Sequence, residues 1–320
     1  MSKTASQRVD VIIPVYKPGR KFSGLLEMLK RQTYPIGKII IMNTEKSYWN
    51  DSGYEGIPGL EVHHVTKKEF DHGGTRNQGA GYADGDIMVF LTDDAVPKDK
   101  FLIERLVGAL SWMGDGGEEM AVAYARQLPA ADCRVIERYT RDFNYPGESR
   151  IKTLASLPEL GIKTYMASNV CCAYRRDIFV KQGGFVTQTI FNEDMIYAAG
   201  AVKAGYGIAY AAEAEVVHSH NLTGRQQFHR NFDLAVSQAD HPEIFADVPS
   251  EGEGIRLVKK TADYLVKSGR IWLVPSLVYS SGCKYAGFWL GKRYRRLPLW
   301  LVRHCTMNQS YWNREGVEGK

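Results

Sequence analysis

The sequence predicts an α/β protein: an open, mostly parallel sheet flanked by helices, followed by a helical C-terminal extension. Three observations carry that prediction. Short β-branched runs alternate with amphipathic segments at helical spacing through the first two thirds of the chain. Two of the runs, VDVIIPVY (9–16) and DIMVFLT (86–92), are almost continuously apolar, the pattern of strands covered on both faces. Beyond His220 the strand-like runs cease and helical spacing takes over.

VDVIIPVY opens the chain as a strand, and FSGLLEMLKRQ (22–32) follows as an amphipathic helix. KIIIMN (38–43) and LEVHHV (60–65) read as strands, TRNQGAGYAD (75–84) as a helix of small residues, and DIMVFLT as the next strand. The middle section, 120–185, is less regular. MAVAYARQ (120–127) reads as a strand and SNVCCAYRRDIF (168–179) as a strand running into a helix. EDMIYAAGAVKAGY (193–206) has helical spacing and ends at Gly205, and GIAYAAEAEVVHSH (207–220) returns to strand. RQQFHRNFDLAVSQ (225–238), GIRLVKKTADYLVKSG (254–269) and 271–291 all read as helices, which puts a boundary near residue 222: 1–222 as the α/β domain, 223–320 as a helical region.

With 320 residues, 44% hydrophobic and 24% charged, the chain can bury one large domain and an appendage. Its first eight residues lack the apolar run of a secretory signal, so the body of the protein is expected on the cytoplasmic side. Five cysteines (Cys133, Cys171, Cys172, Cys283, Cys305) without CxxC spacing fit a reducing compartment and argue against a structural zinc site. The net charge of +5 is local: between 284 and 303 there are six Lys and Arg and no acid, and the rest of the chain sums to −1. That basic end needs its own partner. Nucleic acid fits poorly, because the cluster lies outside any recognisable nucleic-acid fold. IWLVPSLVYSSGCKYAGFWLG (271–291) has about the ~20 residues of a membrane span, yet Pro275, three serines and Lys284 make it a poor one. Tryptophan and tyrosine interleaved with Lys and Arg suit an interfacial helix on an anionic membrane surface; packing on the core or a homo-oligomer contact are the alternatives.

Four constellations carry chemistry. Asp93 and Asp94 end a buried strand, where ligands of open α/β sheets bind. They either hold a hard divalent cation, Mg²⁺ or Mn²⁺, or cap the helix expected to begin around Lys98. FDHGGTRN (70–77) is phosphate-compatible: Gly73 and Gly74 permit close backbone approach, Thr75 caps the following helix, and Arg76 reaches a diphosphate. It is neither a Walker loop nor GxGxxG. Glu193 and Asp194 start a helix, either as favourable charges at its N-terminus or as the source of a general base. His218 and His220 alternate onto one face of a strand, a metal corner or a pair of surface histidines. Few chemistries need a metal-type acid pair, a phosphate-type loop, a carboxylate base and a late histidine together, and transfer from a nucleoside-diphosphate sugar is one of them.

VDVIIPVYKP, TRNQGAGYADGDIMVFLTDDA, GGFVTQTIFNEDMIY and VVHSHNLT resemble, in order, the motifs of family 2 inverting glycosyltransferases of the GT-A fold, over about residues 9–222. FDHGGTRN, HSHNLT and RYRRLPLWLVRH narrow the resemblance to bacterial rhamnosyltransferases that use dTDP-L-rhamnose. By that resemblance Asp94 coordinates the metal and Asp93 contacts the ribose or the metal shell. Ala95 stands where a third carboxylate would, so His218 and then His220 complete the ligand set. Asp194 matches the catalytic base, with Glu193 supporting it or orienting the acceptor. Pro14, Val15 and Tyr16 match the nucleotide-base edge of the pocket, and Asn43 and Thr44 stand where many relatives carry an acid that grips the base.

The resemblance implies a single in-line displacement with inversion, so β-L-rhamnose would give an α linkage. The acceptor it implies is a lipid-linked glycan of a surface polysaccharide, met peripherally at the inner face of the cell membrane. UDP-galactose or UDP-N-acetylglucosamine are the alternative donors. A sugar nucleotidyltransferase would carry its Gly-rich loop directly after the first strand, where this chain has PVYKPGRKF. A silent scaffold on the same fold is disfavoured by Asp94, Asp194 and His218, and a metal hydrolase would need its histidines early and a further acid cluster.

Overall fold

The computed structural model describes residues 7–246, 248 and 251–313. The described residues divide into two compact units, one of 7–128, 145–188 and 193–218, the other of 129–144, 189–192 and the residues from Ser219 to Asn313.

The first unit is the α/β body. Its strands are β1 (Val9–Tyr16), β2 (Ile36–Thr44), β3 (Leu60–Val65), β4 (Ile87–Leu91), β5 (Val96–Pro97), β6 (Met120–Leu128), β7 (Arg150–Lys152), β8 (Cys171–Arg175) and β9 (Gly207–Val217). They form one sheet in the order β3-β2-β1-β4-β8-β6-β9-β5, with β7 on β9. The β3-β2-β1-β4 half is parallel. The sheet is mixed beyond it, because β8 runs antiparallel to both β4 and β6. β4 is buried at all five positions, as its unbroken apolar run predicts.

Helices α1 (Arg20–Lys30), α2 (His72–Tyr82) and α3 (Leu102–Leu110) connect the strands. Phe22, Leu25, Leu26 and Leu29 make the buried stripe of α1, and Leu102, Ile103, Leu106, Ala109 and Leu110 that of α3. Two helix starts differ from expectation. The helix after the acid pair starts at Leu102 rather than near Lys98, because Val96 and Pro97 first pair with β9. The helix expected to begin at Thr75 starts at His72 and is capped by Asp71, whose Oδ1 accepts the Gly74 N–H at 2.7 Å, while Thr75 is buried inside the first turns.

The remaining helices are α4 (Val135–Asn144), α5 (Leu157–Leu160), α6 (Arg176–Lys181), α7 (Glu193–Lys203), α8 (Gly224–Asp240), α9 (Pro242–Phe245), α10 (Glu251–Lys267), α11 (Val274–Gly291) and α12 (Leu299–Cys305). Of these α4 and α8–α12 belong to the second unit. A capping box between Thr223 and Gln226 starts α8. Gly287 and Gly291 let α11 close on α8: a Cβ there would stand 2.1 Å from the Phe228 carbonyl oxygen and 2.3 Å from that of Phe232. Phe232, Val236, Tyr294, Val302, Tyr311 and Trp312 fill the core of this unit.

Candidate active site

The carboxyl ends of β1, β2 and β4 lie side by side, with Tyr16 in register with Thr44. Asp93 accepts the Tyr16 N–H at 3.4 Å, which ties the acid pair to the end of β1. Burial, and then the neighbouring charge of Asp94, raise the Asp93 carboxyl to about 6. Pro14 and Val15 are largely covered within β1. Tyr16 is 43% exposed and stands edge-on to Tyr48 with centroids 5.5 Å apart, the Lys17 ammonium lying over both rings. Three buried polar atoms here have no protein partner: Asn43 Oδ1, Thr44 Oγ1 and Thr92 Oγ1. Buried polar groups are normally bonded, so this rim is shaped for a polar ligand.

Asp94 meets His218 in the first unit: Oδ1 is 3.4 Å from Nε2. The histidine is held from behind, its Nδ1 3.0 Å from Gln127 Oε1, while Gln127 Nε2 donates to the Tyr145 hydroxyl at 2.6 Å and to Ser168 Oγ at 3.0 Å. That amide orientation makes Nδ1 a donor to Gln127 and turns Nε2 toward the carboxylate. A carboxylate oxygen and a ring nitrogen this close share a proton or a cation. An oxygen and a nitrogen donor, the latter fixed from its far side, suit a divalent ion such as Mn²⁺. Lys21, at 3.9 Å from Asp94 and with its side chain 55% exposed, supplies little compensation. His218 lies just past the end of β9, at Val217, so the expected alternation of His218 and His220 along a strand does not hold. His220 falls in the second unit and is exposed.

The second acid pair opens α7. Asn192, in the left-handed region at φ 64°, turns the chain into it. Glu193 is buried, and burial pushes its carboxyl up; the Arg76 guanidinium 3.2 Å away outweighs this, with His72 and the Asn169 amide, and holds it below the usual range. Asp194 moves the other way. Burial and then the Glu193 charge raise it to about 7, against the N–H groups of Asn169 (2.9 Å) and Met195 (2.8 Å) that bond its two oxygens. One carboxylate is thus kept charged beside another that exchanges its proton near neutrality.

Arg76, expected at the donor diphosphate, is 5% exposed and pairs with Glu193 while bonding the His72 carbonyl. The neighbouring glycine serves packing: a Cβ on Gly73 would sit 1.9 Å from the Val186 carbonyl oxygen. The FDHGGTRN segment is therefore the buried first turn of a helix that supports the acid pair.

Sequence reasoning missed Ser168, Asn169 and Val170. The Ser168 hydroxyl takes the Gln127 bond, and Asn169 gives its N–H to Asp194 and its amide to Glu193 at 3.1 Å. Val170 accepts the Thr92 N–H at 3.1 Å. This tripeptide touches Gln127 behind His218, the strand end that carries Asp93, and Asp194. The Tyr174 hydroxyl fixes Asn169 Oδ1 at 2.8 Å. Upstream, the Lys152 ammonium donates to the carbonyls of Lys163 and Met166 and is lowered by burial to about 7. Only the polar SN ahead of the apolar VCCAY run hinted at this role.

Comparison with known proteins identifies the family and the fold. The profile of Glycosyl transferase family 2 matches residues 10–183. The chain is 37% identical to the O-antigen chain rhamnosyltransferase RfbN of Salmonella typhimurium, over 96% of both chains. It is 38% identical to the O-antigen chain rhamnosyltransferase WbaN of Salmonella anatum, over 95% of both. Among solved structures, the mannosyltransferase PcManGT of Pyrobaculum calidifontis, in complex with GDP-Man and Mn²⁺, superposes with a TM-score of 0.56 at 16% identity, covering 98% of this chain and 89% of that one. The S. aureus TarS 1-349 structure with UDP-GlcNAc reaches a TM-score of 0.50 at 14% identity, covering 90% and 91%. The fold is of the GT-A type, and the chain belongs to glycosyl transferase family 2.

Proposed function

We propose that the protein transfers L-rhamnose from dTDP-β-L-rhamnose, with inversion, to a lipid-linked glycan acceptor at the inner face of the cell membrane, in O-antigen-type polysaccharide synthesis. The observation that carries this reading is the full-length identity, 37% and 38%, to two O-antigen chain rhamnosyltransferases.

In this reading the nucleotide lies along the carboxyl ends of β1 and β2. Pro14, Val15 and Tyr16 border the base, and the unpartnered Thr44 hydroxyl and Asp93 supply polar contacts to the nucleoside. Asp94 and His218 hold a divalent cation, Mn²⁺ or Mg²⁺, with His220 the next donor along the chain. When bound, such a cation offsets the charge of the departing diphosphate, so no general acid is required. Arg76 is assigned to Glu193 rather than to the phosphates, because it is nine-tenths buried against that carboxylate. Asp194 takes the proton of the acceptor hydroxyl as the oxygen bonds to the anomeric carbon and the bond to dTDP breaks on the opposite face. Glu193, held charged by Arg76, raises the proton affinity of Asp194 and so suits it to act as a base near neutral pH.

The test is calorimetric binding of dTDP-rhamnose, UDP-galactose and UDP-N-acetylglucosamine, each with Mn²⁺ and again with chelator. Binding of dTDP-rhamnose alone, lost on chelation, is expected. A UDP-sugar preference overturns the donor, and chelator-insensitive binding overturns the metal.

A further inference from the structure

In the second unit, α11 presents an unusual outer face. Its packing side, at Gly287 and Gly291, is pressed on α8. The opposite side recurs at helical spacing through 275, 278 and 279, 282, 285 and 286, and 289, all exposed. On it Val278 is 63% exposed, Tyr279 65%, Tyr285 66% and Trp289 45%, and Trp272 in the turn before the helix 70%. The one charged residue of α11, Lys284, projects away from this stripe by the same spacing. The result is an uncharged, aromatic-rich face about five turns long, with polarity supplied only by small residues and tyrosine hydroxyls. Single exposed apolar residues are ordinary, but a continuous stripe marks a contact surface.

At its C-terminal end the stripe meets a cluster of cations. Lys292, Arg293, Arg295 and Arg296, with Tyr294 and Ala239, line a cavity of about 500 Å³. The Arg293 guanidinium lies 4.2 Å from the Trp289 ring centroid and its Nη1 donates to the Trp289 carbonyl, so the last aromatic of the stripe and the first arginine of the cluster form one unit. Asp240 takes up Arg295 at 2.7 Å. From 264 to 313 the sequence has eight Lys and Arg and no Asp or Glu.

We infer that this face is a docking surface for an anionic lipid bilayer: the aromatic stripe of α11 lies in the headgroup region and the 292–296 cluster takes lipid phosphates. Charge decides between the possible occupants. The same stretch of a second copy, with no Asp or Glu from 264 to 313, offers these cations no counter-charge, whereas lipid phosphates complement them. Tryptophan and tyrosine, apolar with one polar end, suit the interface between water and hydrocarbon. Among the described residues no helix is long and apolar enough to cross a membrane, so α11 lies along the surface. The inference deepens the proposed function, resting on it only for the purpose of docking, which is to meet a lipid-linked acceptor.

The experiment is co-sedimentation of the full chain with vesicles of phosphatidylcholine alone and of phosphatidylcholine mixed with phosphatidylglycerol. Binding to the anionic vesicles, weakened by salt and poor on the neutral ones, is expected. Arg293→Glu with Arg296→Glu lowers that binding by about tenfold or more, from the attraction each cation contributes. Trp272→Ser with Tyr285→Ser lowers it with both arginines intact. Nucleotide-sugar calorimetry on every variant shows that the first unit is folded. Wild-type protein that stays in solution with anionic vesicles overturns the inference, as does vesicle binding unchanged in the charge-reversed variant. So does a solution dimer that Tyr285→Ser converts to monomer. Vesicle binding without dTDP-rhamnose binding leaves docking standing and removes the donor assignment.

Discussion

Asp194→Asn tests the proposed mechanism most directly. The amide cannot take a proton from the acceptor, and a positioned general base contributes about 10²–10⁴ in rate. The expected loss in kcat is therefore about 3–5 kcal/mol of transition-state stabilisation. Ground-state cost is smaller: the new Nδ2 meets one of the two N–H groups that bonded the carboxylate, which costs about 1 kcal/mol of stability. Donor binding should stay within about threefold, since the proton moves only as the bond forms. The pH dependence gives an independent handle. Burial and the Glu193 charge raise Asp194 to about 7, and only its ionised form accepts a proton. In the wild type kcat/KM should therefore rise with pH and level off above about 7, losing about tenfold per unit below it. Glu193→Gln removes the like charge and leaves the Arg76 cation nearby, so both changes favour ionised Asp194 and move the acid limb to lower pH. The assay is steady-state transfer from dTDP-rhamnose across pH, beside donor calorimetry. Turnover of Asp194→Asn within about threefold of wild type, or an acid limb unmoved in Glu193→Gln, would refute the assignment.

Asn169→Ala removes the amide that donates to Glu193 and the acceptor of the Tyr174 hydroxyl, while the backbone N–H to Asp194 survives. It should lower kcat by about tenfold at unchanged donor KM and lower stability by about 1–3 kcal/mol in urea titration; a pure stability loss at full kcat would make the residue structural only. Gln127→Leu takes away the acceptor that fixes the His218 tautomer. Mn²⁺ affinity, followed by calorimetry or by the electron spin resonance of the free ion, should fall by about 10–100-fold, and an unchanged affinity removes His218 from the metal site. Gly73→Ala should destabilise the first unit by about 1–3 kcal/mol or more, because the new methyl would meet a backbone carbonyl and not a movable side chain; an unchanged unfolding midpoint would show that the α2 contact yields freely.

Much of the fold was legible because its signals are local. The strand runs at 9–16, 60–65 and 86–92 and the helices of the C-terminal region appear where their periodicity put them. β5 and β7 escaped notice because two- and three-residue strands have no period to read. The order of the sheet was hidden for a different reason: β8 enters between β4 and β6 and runs against both, a choice made by long-range pairing.

The site divides along the same line. Asp93, Asp94, Glu193, Asp194 and His218 stand out by residue type at element ends, but their partners do not, since Arg76 meets Glu193 and Gln127 meets His218 across long stretches of chain. Those partners change what each acid pair can do. Buried carboxylates in contact repel, and each pair needs a cation to keep both members charged. The chain answers this for one pair with its own buried guanidinium, which secures Glu193 and leaves Asp194 as the member that titrates. At the other pair a partly exposed lysine stands 3.9 Å from Asp94 and the His218 Nε2 lies 3.4 Å from it. The proposed mechanism leaves that position to a divalent ion, which a permanent buried cation would displace. In the proposed mechanism this asymmetry has a use: the base is completed inside the fold, and the leaving-group side is completed by what binds there.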